Sequence, residues 1–273
     1  MFTRAQPSTP STADAAFQNE VGRRLLERLD GLSFEPKQIV DLGCAQAAAT
    51  TALKRRYRSA RVLGVDYARD CLSRAQRRQG RWRRAFELVQ ADACHLPLAS
   101  ASVDLIHASL LLPFCSDLTA LLNGVRRVMR PGGLLLLSTL GPDSLGSLRE
   151  RLNDHDLARY PYRFADVQTL GNALMRSGFA EPVLDTDWIT VQYRQSTDLL
   201  RALRAMDPAI RLGGDRSALR QFRRHGGTAD GFSAEWEVVY ATAWGPQDGA
   251  PMRDETGGEV ASVAVENIGR RER

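Results

Sequence analysis

Apolar positions along the first half of the chain alternate between two periods. Phe17 to Leu29 sets Val21, Leu25, Leu26 and Leu29 on one helical face, which predicts an amphipathic helix. Gln38-Ile39-Val40-Asp41-Leu42 is a short apolar run ended by Gly43, the signature of a buried strand. A helix from about Ala47 to Tyr57 follows. Next come a strand from Arg61 to Val65, closing on Asp66, and a helix from Arg69 to Arg78. Phe86 to Gln90 and Val103 to Ala108 read as further strands. Leu118 to Val128 reads as a helix stopped by Pro131-Gly132-Gly133, and Leu134 to Ser138 as one more strand. Strands alternating with helices at this spacing predict a doubly wound α/β fold, a mostly parallel sheet with helices on both faces.

Beyond residue 140 the pattern loosens. Leu145 to Leu157, Asp166 to Ser177, 197 to 206 and 215 to 224 carry helical spacing. Glu181 to Asp185, Trp188 to Tyr193 and Glu235 to Ala241 read as strands able to close the far edge of the sheet. The chain therefore divides into an unstructured 1–13, a domain over 14–244 and a polar, glycine-rich tail over 245–273 expected to be disordered. Within the domain, about 38–140 forms the regular half and about 145–235 a small helical elaboration.

Composition narrows the class. With 43% hydrophobic and 25% charged residues, the chain fits a soluble globular protein with a sizeable core. The absence of any long uninterrupted apolar run argues against a spanning helix. Met1 to Thr12 is rich in Ser, Thr and Pro and does not read as a secretory signal. Cys44, Cys71, Cys94 and Cys115 are scattered without CxxC spacing, which fits reduced thiols in the cytoplasm and neither a zinc site nor a disulfide framework. The four histidines are equally dispersed, so no metal is expected. The formal charge of +5 is carried mostly by arginine and concentrates between Lys54 and Arg84. That stretch is either a solvated helix face or a surface for an acidic partner. Its few aromatics, Tyr57, Tyr67 and Trp82, argue against single-stranded nucleic acid.

Candidate chemistry lies where an open parallel sheet binds ligands, outside the carboxyl ends of its strands. The turn Asp41-Leu42-Gly43-Cys44-Ala45-Gln46-Ala47 brings backbone N–H groups and a helix start toward a ligand. Asp66, ending the second strand, suits both hydroxyls of a ribose. Asp92, within Ala91-Asp92-Ala93, suits an adenine amino group. Each acid taken alone reads equally well as a helix cap or turn residue. Their placement after three successive strands is what favours a nucleoside site.

Five stretches occur here in the order they take in the class I S-adenosylmethionine (SAM)-dependent methyltransferases. They are Val40–Cys44, Gly64-Val65-Asp66, Ala91–Leu98, Ser102–Ile106 and Arg127–Gly133. The resemblance implies that family's seven-stranded sheet and a SAM site formed by Asp41, Gly43, Cys44, Ala45, Asp66, Tyr67, Asp92, Ala93 and Ser109. Over more of the chain, Phe17–Val21, Leu110–Asp117, Ser138–Leu145, Gly171–Leu174 with Gly178-Phe179, and Glu237–Tyr240 with Trp244 resemble the malonyl-acyl carrier protein O-methyltransferases of biotin synthesis. That likeness implies methylation of the free malonyl carboxylate on an acidic carrier protein, which would suit the arginine-rich surface. A carboxylate is ionised near neutral pH, so the transfer needs alignment rather than a strong base, and no catalytic base is named. Arg163 is the candidate for orienting the carboxylate by bidentate pairing, with an ordinary surface arginine as the competing reading.

This chain departs from the family where it has Ala45 and Ala47, positions usually held by glycine. Pro113-Phe114, Tyr160-Pro161-Tyr162 and Val167-Gln168-Thr169 depart as well. A loop that needs φ > 0 at an alanine costs roughly 1–2 kcal/mol there. These changes keep open a methyltransferase-like protein without activity that acts as a binding or regulatory partner. A nicotinamide oxidoreductase is disfavoured, because Gly43-Cys44-Ala45-Gln46-Ala47-Ala48 fails two of the three glycines of G-x-G-x-x-G. Oligomeric state leaves no mark in the sequence.

Overall fold

Five short, mostly apolar runs line up side by side in one sheet, the middle ones buried on both faces. In a computed structural model, described over residues 12–79, 85–115, 117–146, 166–195, 198–199, 232–246, 252–253 and 259–260, they are parallel strands. These are β1 (Gln38–Leu42), β2 (Arg61–Asp66), β3 (Glu87–Gln90), β4 (Val103–Ser109) and β5 (Met129–Leu140). Two longer strands, β6 (Ala180–Tyr193) and β7 (Phe232–Trp244), complete a seven-stranded sheet in the order β3-β2-β1-β4-β5-β7-β6. β7 runs antiparallel to both of its neighbours, β5 and β6, and against the direction of the other six strands. Parallel strands are buried on both faces because their crossover helices cover them, and β1 and β4 are accordingly buried along nearly their whole length.

Helices α1 (Thr12–Glu27) and α2 (Ala48–Arg56) cover one face together with α3 (Arg69–Arg78). Here Val21, Leu25, Leu53 and Ala75 pack on Ile39, Val62, Leu105 and Leu136. Helices α4 (Leu118–Val128) and α5 (Val167–Arg176) cover the other, with Leu121, Val125, Leu170 and Leu174 against Val40, Ile106, Leu135 and Ala241. Asp117 caps α4 by accepting from Ala120 N at 2.8 Å, and Asp166 caps α5 by accepting from Thr169 N at 2.6 Å.

Three boundaries differ from expectation for identifiable reasons. Helix α1 reaches back to Thr12 and ends at Glu27, with the chain closing in a tighter turn through Arg28–Asp30. Pro131-Gly132-Gly133 ends α4 as expected but already belongs to β5. Gly132 N donates to Gly245 O at 2.9 Å and Gly245 N to Gly133 O at 2.8 Å, which extends the β5–β7 pairing. The two runs 181–185 and 188–193 are one strand, since polar Thr186 and Asp187 are tolerated on a sheet edge. Pro182 sits at the irregularity between Ala180 and Val183, the edge position where a residue lacking N–H fits. In the tail, Met252–Arg253 (β8) pairs antiparallel with Glu259–Val260 (β9). The expected helices over 145–157, 197–206 and 215–224 fall largely or wholly outside the described residues. Among the described residues no helix is long and apolar enough to cross a membrane.

Where β5 ends, β6 and β7 continue. Leu140 is opposite Val238, so Phe232–Glu237 and their partners Trp188–Tyr193 project past the carboxyl edge of the sheet. Trp236 is fully buried there and packs on Phe17 with ring centroids 5.4 Å apart.

Candidate functional site

The turn after β1 is built by hydrogen bonds to the neighbouring strand. Gly43 N and Cys44 N both donate to Val65 O, at 2.8 and 3.1 Å, and Ala47 N donates to Cys44 O at 2.7 Å. The path requires left-handed backbone at three alternating positions, with φ of 69° at Gly43, 45° at Ala45 and 61° at Ala47. The two alanines therefore adopt the conformation glycine takes freely. Gly43 is additionally confined by space, since a Cβ there would lie 3.0 Å from Leu111 Cδ1. Ala47 is fully buried and its methyl belongs to the core beneath α2, whereas Ala45 is partly exposed.

Asp66, at the tip of β2, ties this loop down. Its Oδ2 accepts from Ala45 N and its Oδ1 from Ala68 N, each at 2.8 Å. Burial raises its pKa above the ordinary carboxylate value, although the two N–H donors oppose the shift. A carboxylate has about four acceptor sites, so capacity remains for further donors. Tyr67, next in the chain, is half exposed, and its carbonyl accepts from Gln90 Nε2 at 3.1 Å. Asp92, after β3, accepts from Cys94 N at 3.1 Å and lies 3.2 Å from His95 Nδ1. Ala93 is partly exposed beside it, and its carbonyl lies near Gly124 of α4. Ser109 ends β4 with its Oγ 3.2 Å from Ser138 Oγ on β5, where the chain turns through Leu110 at φ 52°. Gly22 of α1 passes over this point, leaving 3.9 Å between an added Cβ and Ser109 Oγ.

Parallel register puts the tips of β1, β2, β3 and β4 on one edge of the sheet. Leu42 lies level with Val65 and Ala108, and Asp66 level with Gln90. Gly43, Ala45, Asp66, Tyr67, Asp92, Ala93 and Ser109 share that rim. Two of the expected residues lie behind it. Cys44 is buried, and burial pushes its thiol pKa far up, which makes it an inert packing group. Asp41 is 2% exposed. Its Oδ2 accepts from Thr50 Oγ1 at 2.5 Å and its Oδ1 lies 2.8 Å from His107 Nδ1. Thr50 and His107 are fully buried. Sequence reasoning passed over both, because an isolated Thr in a helix and His in an apolar strand carry no spacing signal. Arg163 lies outside the described residues.

The basic stretch also resolves into parts. Lys54 Nζ donates to Arg58 O and Ala60 O, Arg56 pairs with Asp30, and Arg61 pairs bidentately with Glu87 at 2.7 and 2.8 Å. These three are turn and edge anchors. Arg69 and Arg77 remain exposed on α3.

Residues 40–137 match a family model described as "Methyltransferase domain". The malonyl-[acyl-carrier protein] O-methyltransferase of Xylella fastidiosa is 36% identical, covering 98% of this chain and 93% of that protein. Its counterpart from Halorhodospira halophila is 37% identical over 95% of this chain and 90% of its own length. Among solved structures, YcgJ of Bacillus subtilis superposes with a TM-score of 0.61 at 16% identity, covering 83% of this chain and 98% of that one. A Haemonchus contortus phosphoethanolamine N-methyltransferase solved with S-adenosyl-L-methionine superposes at 0.56 with 16% identity, over 83% of this chain and 52% of that one. The structural likenesses speak for the fold, and the sequence likenesses for the family. Similar along nearly its whole length to these curated relatives, the chain belongs to the malonyl-[acyl-carrier protein] O-methyltransferases, a family of methyltransferases.

Proposed function

We propose that this protein transfers the methyl group of SAM to the free carboxylate of a malonyl group carried on acyl carrier protein, in a biotin-type synthesis. One observation above all supports an active site over a degenerate one: Ala45 and Ala47 hold the left-handed backbone that the cofactor loop demands. The loop holds this backbone despite two methyl groups, at a cost of roughly 1–2 kcal/mol for each. Asp66 keeps acceptor capacity for ribose hydroxyls, and Asp92 stands one strand further along the rim for the adenine amino group. Asp41 serves from behind, where Thr50 and His107 fix the start of α2 against β1 and β4.

SAM supplies an electrophilic sulfonium methyl when bound. Bound at the rim, it would offer that methyl to the malonyl carboxylate, which is already ionised near neutral pH, so the transfer would call on no residue to move a proton. The residues at the rim have to bind, align and exclude water, which is where catalysis of this transfer arises. Methylation removes the malonyl negative charge.

Calorimetric titration with SAM, followed by methyl transfer to malonyl-carrier protein, tests this reading. Micromolar binding is expected in the wild type and none in Asp66→Ala. No heat or thermal shift at millimolar SAM would return the chain to the role of an inactive binding partner.

A further inference from the structure

We infer that Glu237 is a positioning residue for the methyl acceptor, acting through the loop Gly141–Leu145; this rests on the methyltransferase reading above. Glu237 lies on β7 just past the last β5 pairing, and is only 8% exposed. Its carboxylate Oε2 accepts from Asp143 N at 2.8 Å. Its backbone joins the same loop twice more. Glu237 O accepts from Gly141 N at 2.8 Å, and Ser144 Oγ lies 3.2 Å from both Glu237 O and Glu237 N. One residue thus gathers three positions of the segment through which β5 leaves the sheet.

The fit is too close to be incidental. A Cβ at Gly141 would come within 2.2 Å of both Cδ and Oε2 of Glu237, so this carboxylate occupies the space that glycine vacates. Leu145 takes φ 63°, unfavourable for leucine, and its N–H donates to Glu235 O at 2.7 Å. Strain at Leu145 and an acidic group that, among the described residues, is buried without a cationic partner both cost stability, and the loop geometry they secure is what they have in common.

That loop starts next to the Ser109–Ser138 pair and lies at the carboxyl edge, on the β5 side of the rim. The nucleoside-type residues Asp66 and Asp92 lie on the other side of β1. Loss of the Glu237 anchor should therefore disturb the acceptor side more than the residues at the tips of β1, β2 and β3.

The test compares Glu237→Ala, Glu237→Gln and the wild type with malonyl-carrier protein and SAM. In Glu237→Ala, kcat/KM for the acceptor should fall at least tenfold, with SAM Kd changed less than twofold. Glu237→Gln, whose amide oxygen still accepts from Asp143 N, should recover most of the loss. Unchanged acceptor kinetics, an equal loss of SAM affinity, or a Gln variant as impaired as Ala would each overturn the assignment. Amide hydrogen exchange at Asp143 reads the bond directly and serves if Glu237→Ala does not fold. Protection in the wild type that is largely kept in Glu237→Gln supports the anchor, and an unprotected amide in the wild type or protection lost in Glu237→Gln refutes it. A wild type that binds SAM but does not turn over this acceptor defeats the proposed substrate and leaves the anchor to the exchange measurement.

Discussion

Ala45 and Ala47 share a backbone conformation but face different surroundings, and their methyl groups should have different consequences. At Ala45 the methyl is partly exposed beside the rim, so glycine removes strain and opens space. At Ala47 the methyl is core, so relief of strain is offset by lost packing. Ala45→Gly is expected to stabilise the fold by about 1 kcal/mol and tighten SAM binding several-fold, while Ala47→Gly changes both little. Urea denaturation and SAM titration of the two single variants check this. Equal tightening by Ala47→Gly would mean that its methyl also borders the ligand. Asp66 carries a second residue-level expectation. Its pKa is raised by burial, so the unliganded fold gains stability from its protonation at low pH and loses that contribution as pH rises through the raised value. Ribose hydroxyls require the ionised form as acceptor. SAM affinity should therefore weaken on acidification before ordinary carboxylates titrate, and the dependence should vanish in Asp66→Asn. A wild-type Kd independent of pH across that window would remove the ribose role.

Between elements, the buried Thr50–Asp41–His107 chain is the joint that holds the turn after β1 in place. It connects the first turn of α2 to β1 and β4 through one carboxylate. Removing one partner of a buried charged group leaves that group short of a hydrogen bond, at a cost of about 1–3 kcal/mol or more. His107→Leu should lower unfolding free energy by roughly 2 kcal/mol on this account, measured by chemical denaturation. A loss within experimental error would mean that the imidazole is mere filling. This joint was not legible in the sequence. Its three residues stand at positions 41, 50 and 107, and only parallel register brings Asp41 level with His107. The elements themselves were legible, because burial on both faces of β1 and β4 writes itself as short, mostly apolar runs that Asp41, Asp104 and His107 interrupt only singly. The join of 181–185 with 188–193 into one strand was not, since an edge strand tolerates the polar residues that mimic a turn.

At the scale of the molecule, a helix between parallel strands starts at the carboxyl rim and runs away from it. Arg69 therefore stands beside the rim, and Arg77 lies roughly 12 Å further along α3. If an acidic carrier presents its malonyl group at the rim, Arg69→Glu should reduce kcat/KM for that substrate more than Arg77→Glu does. The difference should shrink as salt rises. Equal effects of the two variants would place the docking surface elsewhere.

What the sequence determined by itself was local and periodic: the alternation of buried strands and amphipathic helices, the glycine-type turn after β1, and acids at the tips of β2 and β3. Each is encoded within a few consecutive residues, because helix and strand periods and strand-terminal turns are short-range properties. Tertiary structure alone decided which side of the rim each residue occupies. It buried Asp41 and Cys44 behind the loop, turned Ala47 into core, and joined Glu237 to Gly141 across nearly a hundred residues of chain. Those outcomes depend on register, crossover and packing, where a residue's role is fixed by neighbours that no local pattern names.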